Sequence, residues 1–290
     1  MVTGSEQSIP KFHHFVAIMH SRRFTDKSGR FHFFSKQIGK VLYQKPENVF
    51  AQNHLNTVVD ASGNKDASAE GRFSDLEGRA NKIIAKIVVA ARKNKRPMLT
   101  PEEKLDWDRY FFLQFKRTPD VHQKIATLKE QEVAFKEILA SVKARRPDAA
   151  AAIDALDTEI ERKRFMQAGK VAAIERPGGM AFDEIAKRGL HVARISSSGT
   201  EFLIGSAPIV AKGDLRHDRA ERWLPVASDV VVGIGGNRGD EAMFRIDDAD
   251  QILEFNRIVA SQSTSFAAAS KDLVALLANE LREPLSSADR

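Results

Sequence analysis

Apolar residues recur at helical spacing in two adjacent stretches of the chain. Across residues 73–94 they follow one another at intervals of three and four, which predicts a long amphipathic helix. The next helix has a start signal: Thr100 can cap it, Pro101 fits its first position and Glu103 completes a capping box. We expect this helix to end just before Pro119, because the residue preceding a proline disfavours helical geometry.

A helical hairpin is predicted over residues 120–168. Apolar residues from Val121 to Val142 keep a heptad-like spacing, Pro147 breaks the run, and the pattern continues through Ile160 on a second helix. The charged residues of this hairpin are typical of a solvated outer face, so we assign it no function.

Short runs of aromatic and β-branched residues predict strands near both ends of the chain. The runs "RFHFFSK" and "KVLYQK", separated by "QIG", predict an N-terminal hairpin. Five later runs predict a C-terminal sheet: "HVARISS", "EFLIGS", "PIVA", "DVVVGI" and "AMFRI". The glycine-rich "GIGGNRG" precedes a strand rather than a helix, so we interpret it as a hairpin turn and not as a nucleotide loop. With helices over about 248–261 and 270–282, the predicted fold is α+β, mostly helical, with an N-terminal hairpin and a C-terminal mixed or antiparallel sheet.

The composition is that of a soluble globular protein, with 42% hydrophobic and 29% charged residues in a chain of 290. No apolar stretch approaches the roughly 18 residues of a membrane span, and the N-terminus lacks the apolar segment of a secretory signal. There are no cysteines, which excludes disulfides, a thiol nucleophile and thiolate metal ligands. We therefore expect a cytoplasmic protein without a membrane partner.

The positive charge is concentrated near the N-terminus. Residues 11–45 contain eight lysines and arginines and one acid, Asp26, a net charge of +7, whereas the whole chain carries +6. The same segment contains seven phenylalanines and tyrosines. Clustered charge with aromatic residues is typical of a contact with nucleic acid or another phosphate-bearing ligand. A solvated strand face with the aromatic rings turned into the core has the same pattern, so both interpretations stay open.

Four polar residues are expected on apolar helix faces. Glu77 lies on the apolar stripe of its helix, Gln114 and Arg117 share a face of the next helix, and Asn256 lies among apolar residues near the end of the chain. Burying these groups without partners would cost several kcal/mol, so we expect them to meet one another or the N-terminal histidines. Such a network either holds helices in register or forms the floor of a site.

The segment "KFHHFVAIMHSRRF" at residues 11–24 holds three histidines and two adjacent arginines, Arg22 and Arg23. If it is extended, His13 and His14 point to opposite faces and cannot bind one metal ion together. No further histidine or carboxylate spacing completes a metal set, so no metal site is predicted and the cofactor, if any, is unknown. A histidine acting as general acid or base beside an arginine that holds a phosphate fits the segment better.

A second motif, "RTPDVH" at residues 117–122, resembles the arginine–histidine spacing of HEPN-type ribonucleases. Pro119 lies inside it and the two residues lie on either side of a helix break, so we give this motif little weight.

Several segments in order resemble a bacterial family known as domain of unknown function 4238. They are "HHFVAIMHSRRF", "GRFHFFSK", "ENVFAQNHLNT", the helix with Glu77, the Gln114–Arg117–Pro119 element, "EFLIGSAPIV", "WLPVASDVVVGI" and "ILEFNRIVA". The resemblance implies one domain over 11–262, with 263–290 as a C-terminal helix and frayed tail. It gives weight to the same polar residues: His13, His14, Glu77, Gln114, Arg117 and Asn256.

The sequence departs from the family pattern at two places, so it resembles a divergent member of the family. Ala17 stands where the family has a proline, and Ser206 and Ala207 replace an Asp-Asn pair. If that aspartate is an essential acid, this chain is a degenerate, non-catalytic member.

Our functional expectation is a phosphate-ester hydrolase or nuclease-like protein. The catalytic residues would be His13, His14, Glu77 and Arg117, and the substrate-binding residues would be Arg22, Arg23, Gln114 and Asn256. The alternative is a non-catalytic module that binds nucleic acid or a protein, and a third possibility is a scaffold whose polar cluster is architectural.

Overall fold

The computed structural model of the protein describes residues 11–60, 62–121, 128–176, 178–217, 220–237 and 239–282. Helices and strands both contribute to these ranges, so the α+β class is confirmed. Within them no helix is long and apolar enough to cross a membrane.

The N-terminal part of the chain forms short strands around a single helical turn. Its elements are β1 (Phe12–His14), α1 (Ile18–Ser21), a 3₁₀ turn (Arg22–Phe24), β2 (Phe31–Ser35), β3 (Lys40–Gln44), a 3₁₀ turn (Pro46–Asn48), β4 (Ala51–Asn53), β5 (Val58–Val59) and β6 (Lys65–Asp66). Strands β2 and β3 pair antiparallel, which is the predicted hairpin.

The middle of the chain is helical. Its elements are α2 (Ser68–Arg92), α3 (Pro101–Arg117), α4 (Leu128–Arg145), a 3₁₀ turn (Pro147–Ala149), α5 (Ala150–Asp154), α6 (Glu159–Glu175) and α7 (Met180–Ala186). Helix α3 begins with the predicted capping box, in which the Glu103 N–H donates to Thr100 Oγ1 at 3.2 Å and the Thr100 N–H donates to Glu103 Oε2 at 2.8 Å. In the region of the predicted helical hairpin, the structure has α4 and α6 joined through α5; residues 122–127 of that prediction lie outside the described ranges.

The last part of the chain alternates strands with two helices. Its elements are β7 (Gly189–Ile195), β8 (Ile204–Gly205), β9 (Val210–Lys212), β10 (Glu221–Ala227), β11 (Val230–Gly235), β12 (Glu241–Ile246), α8 (Ala249–Gln262), β13 (Ser265–Ala268) and α9 (Lys271–Glu280).

Two sheets pack in layers between helices. The five-stranded sheet has the order β12-β7-β11-β10-β9 and is antiparallel except for the β12–β7 pair, and the four-stranded sheet has the order β3-β2-β13-β8. Alternate residues of β7 and β11 face opposite ways: Val192 and Val232 pack against α2 and α3, and Val231 packs against the four-stranded sheet. Helices α8 and α9 cover the far face of that second sheet.

The predicted hairpin at "GIGGNRG" is wrong. Strands β11 and β12 do not pair, because β7 lies between them, antiparallel to β11 and parallel to β12. The connection crosses the start of β7 at Gly189, where a Cβ atom would lie 2.4 Å from the Asp240 carbonyl oxygen. Only glycine permits this close crossing, and the sequence pattern carries no signal for it.

Strand β13 extends the domain beyond the boundary expected at residue 262. It lies in the middle of the four-stranded sheet, where Phe266 pairs with Phe34 of β2 and Gly205 of β8. Residues 263–282 therefore contribute to the same core. The frayed tail expected after Arg282 lies outside the described residues.

Candidate functional site

Three of the polar residues predicted on apolar helix faces meet between α2 and α3. Arg117 is 1% exposed, and its Nη1–H donates to Glu77 Oε1 at 2.5 Å. In the amide orientation that satisfies both groups, the Gln114 oxygen accepts from Arg117 Nε and Nη2 at 2.7 Å each. The expectation that these residues find one another is confirmed. The pairing lets a fully buried guanidinium and a fully buried amide share their hydrogen bonds.

Glu77 is the open member of this group. Its side chain is 23% exposed, and in the described residues its second oxygen, Oε2, accepts no hydrogen bond. Arg117 therefore holds one carboxylate oxygen in place and leaves the other free for a ligand.

His14 lies beside this group and is held as an oriented neutral base. Its Nε2 lies 3.1 Å from the Glu47 carbonyl oxygen, which can only accept, so Nε2 carries the proton and Nδ1 keeps its lone pair. Nδ1 has no hydrogen-bond partner within the described ranges. Partial burial is the largest effect on His14 and lowers its pKa, and Arg117 lowers the pKa as well. The Glu47 carbonyl and the carboxylates of Glu77 and Glu70 raise the pKa, but they do not outweigh the burial.

His13 points to the other face of β1, as predicted for an extended segment. It is fully buried, and its Nδ1 accepts from the Asn56 N–H at 3.1 Å and lies 3.3 Å from Glu70 Oε1. The Asn56 amide donates to the same Glu70 oxygen at 2.5 Å. His13 thus anchors β1 to the loop after β4, while His14 turns to Glu47 and lies within electrostatic range of Glu77 and Arg117.

The strand that pairs with β1 is bounded by strained backbone. Strand β4 is aligned with β1 so that His13 is opposite Gln52. Phe50 and His54, the residues on either side of β4, both have φ of 55°. A left-handed conformation is costly for a buried phenylalanine, and such strain concentrates where a structure holds functional groups in place.

His20 and Tyr110 extend the polar cluster inward, and sequence reasoning did not nominate either of them. Both are fully buried; the Tyr110 hydroxyl donates to His20 Nδ1 at 2.9 Å, and His20 Nε2–H donates to the Pro225 carbonyl at 2.5 Å. Tyr110 lies two turns before Arg117 on α3, on the same face, and this helical spacing was the available signal.

The burial of His20 predicts a pH dependence of stability. Burial lowers the pKa of His20 to about 4 from 6.5, so between these values the unfolded chain binds a proton that the folded chain does not. We expect the free energy of unfolding to fall by about 3 kcal/mol as pH drops from 6.5 to 4. His20→Gln keeps a donor and an acceptor without titrating. Urea unfolding at several pH values should show this loss in the wild type and a shallower slope in the variant; equal slopes would contradict the assignment.

The side chains of the neighbouring residues Arg22 and Arg23 point in different directions and contact different parts of the chain. Arg22 is 63% exposed and binds the Glu47 carboxylate at 2.6 Å, which places it next to the residue that orients His14. Arg23 turns inward to α2, where its Nη2 donates to Asn81 Oδ1 at 2.8 Å while its Nε is buried without a partner. Asn81 lies one turn after Glu77, so Arg23 contacts α2 close to the cluster.

The structure does not bring Asn256 to this cluster. Its amide donates to the Glu201 carbonyl at 2.8 Å and its oxygen accepts from the Leu203 N–H at 3.0 Å. Asn256 therefore ties α8 to the segment before β8, on the far side of the four-stranded sheet.

We expect Asn256→Ala to destabilise the fold without changing the His14 site. The variant leaves a buried N–H and a carbonyl unsatisfied, for an expected loss of about 2–3 kcal/mol in the free energy of unfolding. Gln251→Ala, an exposed change on the same helix, should lie within about 0.5 kcal/mol of the wild type by the same urea titration. Equal stability of the two variants would contradict a structural role.

Ser206, singled out in the sequence analysis, lies in a separate buried cluster. Its hydroxyl donates to the Asp120 carboxylate, which also accepts from the Thr264 N–H at 2.9 Å. The Thr264 hydroxyl donates to Asp120 Oδ1 at 3.0 Å. The acid here comes from the segment after α3, and its oxygens are occupied by neutral donors of the β8 and β13 region.

In the part of the chain that the structure describes, no group of three or more histidine, aspartate or glutamate side chains is arranged to hold a metal ion. The chemistry available at the cluster is that of a neutral imidazole, a carboxylate and arginines.

Comparison with known proteins identifies the family to which the sequence is similar, but no individual relative. The sequence model of the family described as protein of unknown function (DUF4238) matches residues 13–272. No curated protein matches the chain, and no solved structure matches it.

Proposed function

The chain belongs to the family of proteins of unknown function DUF4238, and from its site we propose that it is a phosphate-ester hydrolase of the nuclease type. The observation that supports this proposal is the state of His14, a neutral imidazole with an oriented ring and an open Nδ1 beside the Glu77–Arg117 pair. A base with a pKa below that of free histidine is largely deprotonated at neutral pH, as proton abstraction requires.

In the proposed reaction, Nδ1 of His14 takes a proton from the attacking water as the water oxygen bonds to phosphorus. The ester P–O bond breaks, the leaving oxygen takes a proton from solvent, and His14 returns its own proton to solvent. The Glu77 carboxylate stabilises the imidazolium that forms. His13 acts as a positioning residue through β1.

The arginines have different roles in this proposal. Arg117 is almost inaccessible and holds Glu77, with Gln114 fixing its orientation. Arg22 is mostly exposed and lies next to Glu47, so it is the guanidinium available to a substrate phosphate.

One gel experiment tests the proposal. The purified protein and its His14→Ala variant are incubated with labelled RNA and DNA, with and without a chelator. We expect cleavage by the wild type that is lost in the variant, and the chelator lanes decide whether a metal ion takes part. No cleavage of either nucleic acid by the wild type, or equal cleavage by both proteins, would refute a nuclease that depends on His14.

A second candidate function is nucleic-acid binding without catalysis, supported by an exposed aromatic surface on the β2–β3 hairpin. The His32 and Tyr43 rings lie 4.9 Å apart at an interplanar angle of 33°, and the Arg30 guanidinium lies 5.5 Å from the Tyr43 ring centroid. Tyr43 is 43% exposed, whereas Phe31 and Phe33 of the same basic segment are buried in the core. Bases stack on such surfaces with little sequence preference.

If this surface binds nucleic acid, the affinity should fall steeply with rising salt concentration and with loss of the Tyr43 ring. We expect Tyr43→Ala to lower affinity for single-stranded RNA about tenfold at low salt, measured by fluorescence anisotropy. Phe244→Ala, which also removes an exposed ring but lies outside the basic segment, is the matched control and should bind as the wild type does. A gel shift without cleavage that disappears in Tyr43→Ala would favour binding over hydrolysis.

A further inference from the structure

A cavity of about 270 Å³ lies among helices α2, α3, α6 and α7. Its apolar walls are formed by side chains of helices α2, α3, α6 and α7. These side chains are Phe73, Leu76, Phe112, Leu113, Ile174 and Phe182. Apolar walls of this kind, with a few polar groups at the edge, are typical of small-ligand sites.

The edge of this cavity is strongly basic. Its charged side chains are Arg72, Arg79, Arg109, Lys116, Arg176 and a single acid, Glu175. Part of this charge is paired, since Arg72 binds Glu175, and Arg79 binds Asp106 at 2.8 Å. Arg109 Nη1 also lies 3.4 Å from Asp106, so two arginines share that carboxylate.

Lys116 and Arg176 are the two cations without an acidic partner in the described residues. Lys116 Nζ donates to the Ala173 and Arg176 carbonyls at 3.0 and 2.7 Å and lies 4.5 Å from the Phe112 ring centroid. The Arg176 side chain is exposed and makes no hydrogen bond or ion pair in the described ranges. Burial lowers the pKa of Lys116 to about 8, which an anion placed beside it would reverse.

From this arrangement we propose that the cavity binds an amphipathic anion, with an acyl chain against the phenylalanines and a carboxylate head at Lys116 and Arg176. The walls explain the preference for an apolar body, and the unbalanced charge at the edge explains the preference for a negative head. This ligand site is separate from the hydrolytic site and does not depend on it.

Calorimetric titration with three ligands of one chain length tests the proposal: dodecanoate, dodecanol and dodecyltrimethylammonium. We expect dodecanoate to bind at least about tenfold more tightly than dodecanol, and the cation not to bind, because only the anion is paired at the edge. Dodecanoate affinity should also fall with rising salt. No dodecanoate binding, or equal binding of the three ligands, would overturn the proposal.

Two substitutions locate the head group. Lys116→Met should weaken dodecanoate binding at least about tenfold. Lys116 also donates hydrogen bonds to backbone carbonyls at the end of α6, so its loss could disturb the local packing. Arg176→Gln is therefore a second test: it changes an exposed side chain, leaves the packing intact and should weaken dodecanoate binding several-fold. Lys82→Met is the matched control, since Lys82 is an exposed lysine of α2 that does not line the cavity. Affinities of Lys116→Met and Arg176→Gln equal to that of the control would refute the site.

Discussion

Arg117→Ala is expected to lower the free energy of unfolding by about 3–5 kcal/mol. The substitution removes a guanidinium that is 1% exposed and leaves the fully buried Gln114 amide and the Glu77 carboxylate without their shared partner. The cost comes mainly from the fully buried Gln114 amide, which loses its hydrogen-bond partner, and from the partly desolvated Glu77 carboxylate, which loses its counter-charge. Urea unfolding followed by circular dichroism measures this loss.

A matched ion pair between the same two helices provides the control. Arg79 on α2 binds Asp106 on α3 at 2.8 Å, but its side chain is 51% exposed, so Arg79→Ala should cost less than about 1 kcal/mol. Arg117→Lys should fall between the two, since one ammonium group cannot reproduce the bonds to Glu77 and Gln114. If Arg117→Ala were no more destabilising than Arg79→Ala, the buried group would not be the link between α2 and α3 that we describe.

His14→Gln is expected to reduce the rate of phosphodiester hydrolysis about 10²–10⁴-fold. Glutamine can still donate to the Glu47 carbonyl, so the fold and the position of β1 are kept, but it has no nitrogen that takes a proton. Initial rates on bis(4-nitrophenyl) phosphate measure the effect. His217→Gln, a change of an exposed histidine far along the chain, should leave the rate unchanged. Equal losses in both variants would show that His14 is not the base.

The main helices could be predicted because their signals are local. The capping box of Thr100 and Glu103 and the apolar spacing of α2 act within a few residues, and both appear in the structure. The same spacing placed Glu77, Gln114 and Arg117 on apolar helix faces, which predicted that they would meet one another or the N-terminal histidines.

Strand pairing could not be predicted, because it depends on distant parts of the chain. Strand β10 is not among the predicted runs, and Pro225 within it is unusual for a strand with two neighbours. Its neighbour β9 pairs only as far as Trp223, so Pro225 gives up no ladder bond on that side, and its carbonyl accepts from His20. The insertion of β7 between β11 and β12 likewise follows from packing at Gly189 and not from periodicity.

The residues of the candidate site could likewise be predicted only in part, because their partners lie in distant parts of the chain. Asn256 and Glu77 both lie on apolar helix faces, and no feature of their sequence patterns distinguishes a structural role from a place in the site. Asn256 satisfies two backbone groups more than fifty positions away, whereas Glu77 meets a side chain of the next helix. The tautomer of His14 depends on the Glu47 carbonyl, a backbone atom whose position only the fold determines.

The pH dependence of hydrolysis tests the central claim, that His14 is the base, most directly. Because burial lowers the pKa of His14, we expect kcat/KM for bis(4-nitrophenyl) phosphate to rise with pH through a single pKa below 6.5 and then to level off. In His14→Gln the residual rate should lack this inflection. A wild-type protein without hydrolysis at any pH, or an inflection that persists unchanged in the variant, would contradict the account.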